Sequence, residues 1–578
     1  MISPEILLLS SAKGADARHH ERRNTPQLFR WPLDTATVLR VFLKSAKGAD
    51  ARHHERRNTP QLFRSPLDTA TVLRVFLKSA KGADARHHER RNTPQLFRSP
   101  LDTATVLRVF LTSILFAANL AAHAEPSKVV TLNAQDRTVL MGAFAESTGA
   151  LKIADVGLGK VGWIENWKTE SQSLTWTIAV PFPAEYRLSA LAEGPAEGAE
   201  ITIEVAGRAT TVSFGRDWDR IAAGVFSLPA GQQTIIVRSP SHPTIAKFFS
   251  LEFVRPPIAA RLSSEAATLA AGTAWLIADR YGLMFHWTSQ TKPRHGIAKS
   301  YQQAVQDFDV EQFANSVQLT GARHVVFTTS HAEFYFPAPN EIIDSILPGR
   351  TCKRDLVGEL ADALAARGIK LLLYYHPGHD DLAWWTRTHF AENDKAAFFN
   401  QWCSIVSSIG RRYGKRVAGF WFDDAIFTYY PFNPPWQAMT KAAKTGNPER
   451  LVIYNSWILP RVSEFYEVFA GEASFSRDVI NGYGYLPIGA SGKFVAGPQK
   501  GLQGHITTVL EADWGHFQTD TPIGPLRFSP ETMLAKIRDC IARKNVPSFD
   551  LEIYQDGSVA PEAVEMFKTV RAALVPRN

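Results

Sequence analysis

The chain has 578 residues, 45% of them hydrophobic and 21% charged, the balance of a folded protein rather than a disordered one. Its three cysteines, Cys352, Cys403 and Cys540, exclude a disulfide-dense scaffold and a four-cysteine zinc site. The formal charge of +8 comes from residues 1–124, with 20 Lys+Arg against 10 Asp+Glu; the remaining 454 residues carry 44 against 46, so they lack the basic excess of a nucleic-acid-binding domain.

At the N-terminus, Ser11–Lys44 recurs nearly unchanged at Ser45–Lys78 and Ser79–Thr112, a period of 34 residues. That is the period of a helical-hairpin solenoid. Each copy, however, holds two prolines and one short apolar stretch, too little for two amphipathic helices. Residues 1–107 are therefore read as a disordered or mis-assigned leader, and no metal is assigned to the His19-His20 pairs. Arg108, the apolar run Val109–Leu120 and Ala122-His123-Ala124 follow the three regions of a secretory signal peptide. The run is too short for a membrane span. Cleavage after Ala124 and export to the periplasm or medium are expected, with no stable membrane insertion afterwards.

Residues 125–257 read as β-rich. Alternating runs recur at Ser173–Val180, Glu185–Leu191, Glu200–Val205, Thr210–Phe214, Gln233–Val237 and Phe248–Val254, with Gly and Pro turns between them. This spacing predicts an antiparallel β-sandwich. Its pattern, with Trp218 before a VFSLPAGQQTIIVR hairpin, resembles the sandwich modules that bind carbohydrate beside glycosidase domains. Trp163, Trp167 and Trp218 can then either stack on sugar rings or pack a core. Pro256-Pro257 is expected to bound a separable domain.

From residue 258 onward, strands alternate with helical stretches. Eight strands are predicted, at Tyr281–Trp287, Arg323–Thr329, Ile369–Tyr375, Val417–Asp423, Arg450–Asn455, Tyr466–Glu472, His505–Glu511 and Pro547–Ile553. Helices are expected at Val310–Thr320, Lys353–Arg367, Lys395–Arg412 and Pro530–Arg543. The pattern predicts a (β/α)8 barrel of the α/β class, in which function gathers at the C-terminal ends of the strands. Those ends carry His286-Trp287, His331 and Glu333, Tyr374-Tyr375-His376, Asp423-Asp424, Asn455, Glu472 and Glu511. Carboxylates, histidines and aromatics around one bowl suit a sugar: hydroxyls need directional hydrogen bonds, ring faces need aromatics, and glycosidic cleavage needs two carboxyl groups. The loop His376-x-x-His379-Asp380-Asp381 has zinc-ligand types, but four such residues bunched in one loop lack distant partners, and no metal or other cofactor is predicted.

Six segments of this barrel, GLMFHW, GARHVVFTTSHAEFYFP, KRDLVGELADALAARGIKLLLYY, VAGFWFDDA, LEADWGHF and VPSFDLEIYQDGSV, resemble in order and spacing the motifs of glycoside hydrolase family 29, the α-L-fucosidases. Departures are present. Ala332 stands in place of the family's second histidine and Glu333 in place of an aspartate. Trp457 replaces an arginine, and the family's LLLN strand reads Phe549-Asp550-Leu551-Glu552.

The resemblance implies an exported retaining exo-glycosidase acting on terminal α-L-fucosyl groups of a glycan or oligosaccharide. Asp423 would be the nucleophile, with Glu472 as acid/base and Glu511 as the runner-up. It further implies substrate contacts from His286, Trp287, His331, Glu333, Tyr374, Tyr375, Trp421, Asn455 and Trp514. Two alternatives stay open: another exo-glycosidase specificity, and a non-catalytic sugar-binding protein on a decayed barrel, to which Ala332 and Trp457 point. A metal-dependent hydrolase is motivated by the His379 loop alone.

Overall fold

A computed structural model describes residues 129–155, 161–240, 242–378, 381–390, 392, 394–423, 433–455, 459–472 and 490–574. The 34-residue repeats, the signal segment and its cleavage site lie outside the described residues. So do His379, Asp380, Asp424, Ser456, Trp457 and the Glu472 side chain. All that is described falls within one compact unit.

Among the described residues twelve strands precede the barrel: β1 (Val129–Thr131), β2 (Thr138–Met141), β3 (Glu146–Thr148), β4 (Lys152–Asp155), β5 (Val161–Glu165), β6 (Ser173–Val180), β7 (Ala184–Glu193), β8 (Ala199–Val205), β9 (Arg208–Phe214), β10 (Asp219–Leu228), β11 (Gly231–Arg238) and β12 (Lys247–Val254). They form two six-stranded sheets. One runs β1-β6-β11-β8-β9 with β3 beside β6, and the other β10-β7-β12-β5-β4 with β2 beside β12. The first sheet turns Leu174, Ile178, Ile201, Ile203, Ile235 and Val237 onto Leu188, Ala190, Leu251 and Phe253 of the second, in one shared core. Its other face carries Thr175, Thr177, Thr202, Glu204 and Thr211, the in–out alternation of a sheet wetted on one side.

The second sheet is covered on both sides. In β12, seven of eight residues are buried, because the sheet's far face meets the barrel. Val139, Met141, Trp163, Leu191, Trp218, Phe249 and Val254 belong to the same apolar cluster as the barrel's outer shell. Trp163 and Trp218 pack edge to face at 5.7 Å within this seam, while Trp167 fills the sandwich core. None of the three presents a ring face to solvent, so the sugar-stacking reading is corrected. Pro256 and Pro257 follow the last sandwich strand and open the helix Pro256–Leu269, where a proline at the first position loses no hydrogen bond.

The barrel closes in the order β13 (Gly282–Phe285), β14 (His324–Thr328), β15 (Lys370–Tyr375), β16 (Val417–Phe422), β17 (Leu451–Asn455), β18 (Val468–Glu472), β19 (Gln503–Val509) and β20 (Val546–Leu551), with β20 returning to β13. All neighbours are parallel. Each predicted strand is present, with boundaries shifted by up to two residues. The alternation along the strands decides what points where. Met284, Val326, Leu372, Tyr374, Trp421, Ile453, Val468 and Val546 fill the interior. Leu283, Phe285, Val325, Phe327, Tyr375, Phe422 and Tyr454 face outward into the shell of helices. The helices Val310–Thr320, Leu356–Ala365 and Ala396–Tyr413 supply that shell. The first two begin on Asp309 and Asp355, whose carboxylates accept from backbone N–H groups of the first turn.

Candidate functional site

The inward parity of each strand, extended one step past its C-terminal end, delivers the residues of the bowl. On β16 that step brings Asp423, which keeps 8% of its surface exposed. The Tyr374 hydroxyl donates to Asp423 Oδ2. Asn455 Nδ2 donates to Oδ1 at 2.6 Å. Three adjacent strands thus converge on one carboxylate, and both its oxygens receive a hydrogen bond.

His286 follows β13 in the same parity. Its Nδ1 lies 3.0 Å from the Asp550 carboxylate on β20. Its ring meets Tyr374 at 4.9 Å, Trp514 at 5.1 Å and His331 at 5.7 Å. His331 in turn packs on Trp514 at 4.7 Å and on His376 at 5.4 Å. His286, His331, Tyr374, Trp514, Asp423 and Asn455 therefore form one wall-and-floor arrangement. Trp514 is half-buried and flanks the imidazoles from the loop after β19, where its ring can close over a ligand's apolar face.

Burial opposes a charge on His286, but the Asp550 carboxylate outweighs it, with help from Asp423 and Asp513, and the pKa is raised. Asp550 is itself raised, chiefly by burial, with His286 pulling the other way. Deeper on the same side, Glu511 has no exposed surface. Its Oε2 accepts from Glu552 N–H at 2.5 Å, and its Oε1 has no hydrogen-bond partner among the described residues. Burial pushes its pKa up to about 8, although that backbone N–H favours the charged form; the negative charges of Glu552 and Asp550 raise it further.

Several predicted contacts are not in the bowl. Trp287 and Tyr375 sit one residue out of phase with the inward face. Trp287 is 1% exposed, donates to the Gln555 carbonyl at 3.1 Å and packs on Tyr301, Phe308 and Phe327. Tyr375 packs on Phe334, Trp402 and Phe422 outside the barrel. Neither can touch a ligand at the mouth. Trp421 does point inward but is fully buried, stacked 5.2 Å beneath Tyr374, so it supports the floor from below. Glu333 is exposed and accepts from Ser289 Oγ at 2.7 Å. Glu472 ends β18, and its side chain lies outside the described residues.

Two contributors were missed by the strand-end reading: Asp550, and Glu552, which meets His516 Nδ1 at 3.2 Å. The signal was there. Ser548, Asp550 and Glu552 alternate with Phe549, Leu551 and Ile553, a polar inner face on a strand whose outer face is apolar. Asp381, from the zinc-type loop, is committed elsewhere. It caps the helix Leu382–Arg387 and pairs with Arg350 at 2.8 Å. Among the described residues no cluster of three or more His, Cys, Asp or Glu is placed to hold a metal ion.

The family model described as alpha-L-fucosidase matches residues 277–478. This stretch of the barrel is similar to the alpha-L-fucosidases, a family of glycoside hydrolases. The match runs from just before β13 to just after β18 and includes His286, His331, Tyr374, Asp423 and Asn455; Glu511, Trp514 and Asp550 lie beyond it. No curated protein matches the chain.

Solved structures that resemble it include three fucosidases. The alpha-L-fucosidase AlfC from Lactobacillus casei is 18% identical over 52% of this chain and 97% of its own, with a TM-score of 0.36. An alpha-L-fucosidase from Bacteroides thetaiotaomicron is 16% identical over 54% and 73%, with a TM-score of 0.39. Alpha-L-fucosidase isoenzyme 1 from Paenibacillus thiaminolyticus is 15% identical over 54% and 76%, also at 0.39.

Proposed function

We propose that this protein is a retaining exo-glycosidase that hydrolyses terminal α-L-fucosyl linkages. The observation that carries the reading is the Asp423 carboxylate, held at the bowl by Tyr374 and Asn455 and still 8% exposed, inside the segment that matches the fucosidase family. In the first step an Asp423 oxygen attacks the anomeric carbon. The bond to the leaving oxygen breaks and a glycosyl ester forms. A second carboxylic acid gives its proton to the leaving oxygen, then removes one from the water that cleaves the ester. We assign this acid/base role to Glu472, at the end of β18. Glu511 has a suitably raised pKa, but it has no exposed surface from which to reach a leaving group. His286, His331 and Trp514 would contact the sugar, the imidazoles through hydroxyls and the indole through a ring face.

Turnover of an aryl α-L-fucoside tests the reading. Asp423→Ala should abolish it, while azide should restore part of it by attacking the vacated face and yield a fucosyl azide. A variant retaining full turnover would remove Asp423 from the chemistry. A parent that binds L-fucose but turns over no aryl glycoside would favour a sugar-binding protein on a decayed barrel. The protein is further proposed to be exported with Glu125 as its first residue, as the Ala122-His123-Ala124 site suggests. Mass spectrometry of exported protein that found intact 34-residue repeats would reject this.

A further inference from the structure

We propose that Asp550 is a positioning residue that keeps His286 as a doubly protonated imidazolium, so that its Nε2–H is a charge-assisted donor to a sugar hydroxyl beside Asp423. The proposal rests on the fucoside reading and adds to it a residue beyond the matched segment.

The geometry makes the case. Asp550 is 3% exposed and places both carboxylate oxygens 3.0 Å from His286 Nδ1. An ionised carboxylate only accepts, so Nδ1 must carry a proton. The other nitrogen, Nε2, has no hydrogen bond among the described residues, while the ring keeps 8% exposure. It is the free end of a carboxylate–imidazole pair at the edge of the bowl.

Whether Nε2 offers a proton or a lone pair depends on the surrounding charges. From β20 there is Asp550; from the end of β16, Asp423; from the loop after β19, Asp513. The remaining neighbours are the rings of Tyr374 on β15, His331 after β14 and Trp514. Among the described residues no lysine or arginine is among these neighbours, and three carboxylates favour the charged form of the ring. The raised pKa of His286 agrees. A charged donor makes a stronger hydrogen bond to a hydroxyl oxygen than a neutral one. A buried imidazolium also sets part of the field around Asp423 during the attack.

The sign follows. Below its midpoint His286 is charged and the bowl binds; raising the pH through the midpoint removes the Nε2 proton and weakens binding. Asp550→Asn keeps an oxygen to accept from Nδ1–H but removes the charge, so the midpoint must fall.

Two measurements on the full-length protein test this. Nitrogen-15 histidine spectra, with His286 assigned by its loss in His286→Gln, give the midpoint without substrate. L-Fucose affinity against pH, read from Trp514 fluorescence or calorimetry, gives the functional limb. The expected result is a midpoint above that of an ordinary histidine which drops in Asp550→Asn. The alkaline limb of binding should drop with it, leaving affinity roughly tenfold weaker near neutral pH and little changed in mild acid. A midpoint that stays put overturns the pairing. A midpoint that moves while the limb stays put overturns the charged-donor role. If L-fucose does not bind and no aryl fucoside is turned over, the fucoside reading is what fails, and the histidine spectra still decide the pairing. Asp550→Glu, which keeps the charge, should retain the high midpoint and separates charge from simple loss of packing.

Discussion

Asp423 depends on two neutral donors. The Tyr374 hydroxyl and Asn455 Nδ2 each hold one oxygen. Removing either leaves the carboxylate less stabilised and free to turn. Tyr374→Phe and Asn455→Ala should each lower kcat by about 10- to 100-fold, with a smaller effect on KM. Steady-state kinetics on an aryl fucoside checks this, and equal loss in KM alone would show that the two residues act on binding only.

Glu511 offers a second test at this scale. Its pKa is raised from 4.5 to about 8, chiefly by burial. Between these values the folded protein retains a proton that the unfolded chain has released, so stability falls as pH rises through that window. Glu511→Gln should flatten this fall, and the variant should gain on the parent by on the order of a few kcal/mol between acid and neutral pH. Melts across that range decide it; parallel curves for parent and variant would mean that Glu511 is ionised in the folded state.

Among the elements, barrel strands were easier to read from sequence than sandwich strands, and the reason is physical. A strand buried on both faces is a short continuous apolar run, as in Leu371-Leu372-Leu373 or Val325-Val326-Phe327. A half-exposed strand relies on alternation, which small and charged residues blur. The first half of the ten-residue β10 was missed on this account: it begins Asp219-Arg220 and carries Gly224 at an irregularity in its pairing with β7. Parity also explains which site residues were legible. Strand ends located the bowl, but naming both residues of His286-Trp287 and of Tyr374-Tyr375 ignored the fact that neighbours point to opposite faces. Asp550 escaped because it sits within a strand rather than after it.

The floor of the barrel supplies an element-scale prediction. The His324 and His505 rings share Ser548 Oγ at 2.8 and 2.9 Å, and Gly282 leaves room for them. A Cβ there would lie 2.1 Å from His324 Nε2. Gly282→Ala should therefore cost about 1–3 kcal/mol of stability through overpacking, visible as a lower melting temperature. An unchanged melt would show that the His324 ring can turn aside.

At the scale of the whole molecule, the sandwich and the barrel share an apolar seam, and a charged lock crosses it. Glu252 on β12 is fully buried on the barrel side and accepts from Arg137 at 2.7 Å and Arg220 at 2.9 Å. Arg137 also reaches Glu464, and Arg220 the Arg461 carbonyl. Both lie in the stretch joining β17 to β18, between Asn455 and Glu472. Val139 N–H donates to Asn433 Oδ1 at 2.6 Å on the connection that follows β16. The sandwich thus grips the two connections on either side of β17, the strand that ends at Asn455.

A buried acid with two arginine partners is costly to remove, because Arg220 then loses its carboxylate partner in the seam and Arg137 keeps only Glu464. Glu252→Ala should cost about 3 kcal/mol and lower kcat on an aryl fucoside, although Glu252 lies at the seam and not in the bowl. Calorimetry of the parent should show one cooperative transition for sandwich and barrel together, since Trp163, Trp218 and Phe249 would otherwise be exposed. Two resolved transitions, with Glu252→Ala shifting only the first and leaving kcat untouched, would mean that the sandwich is an independent module resting on the barrel.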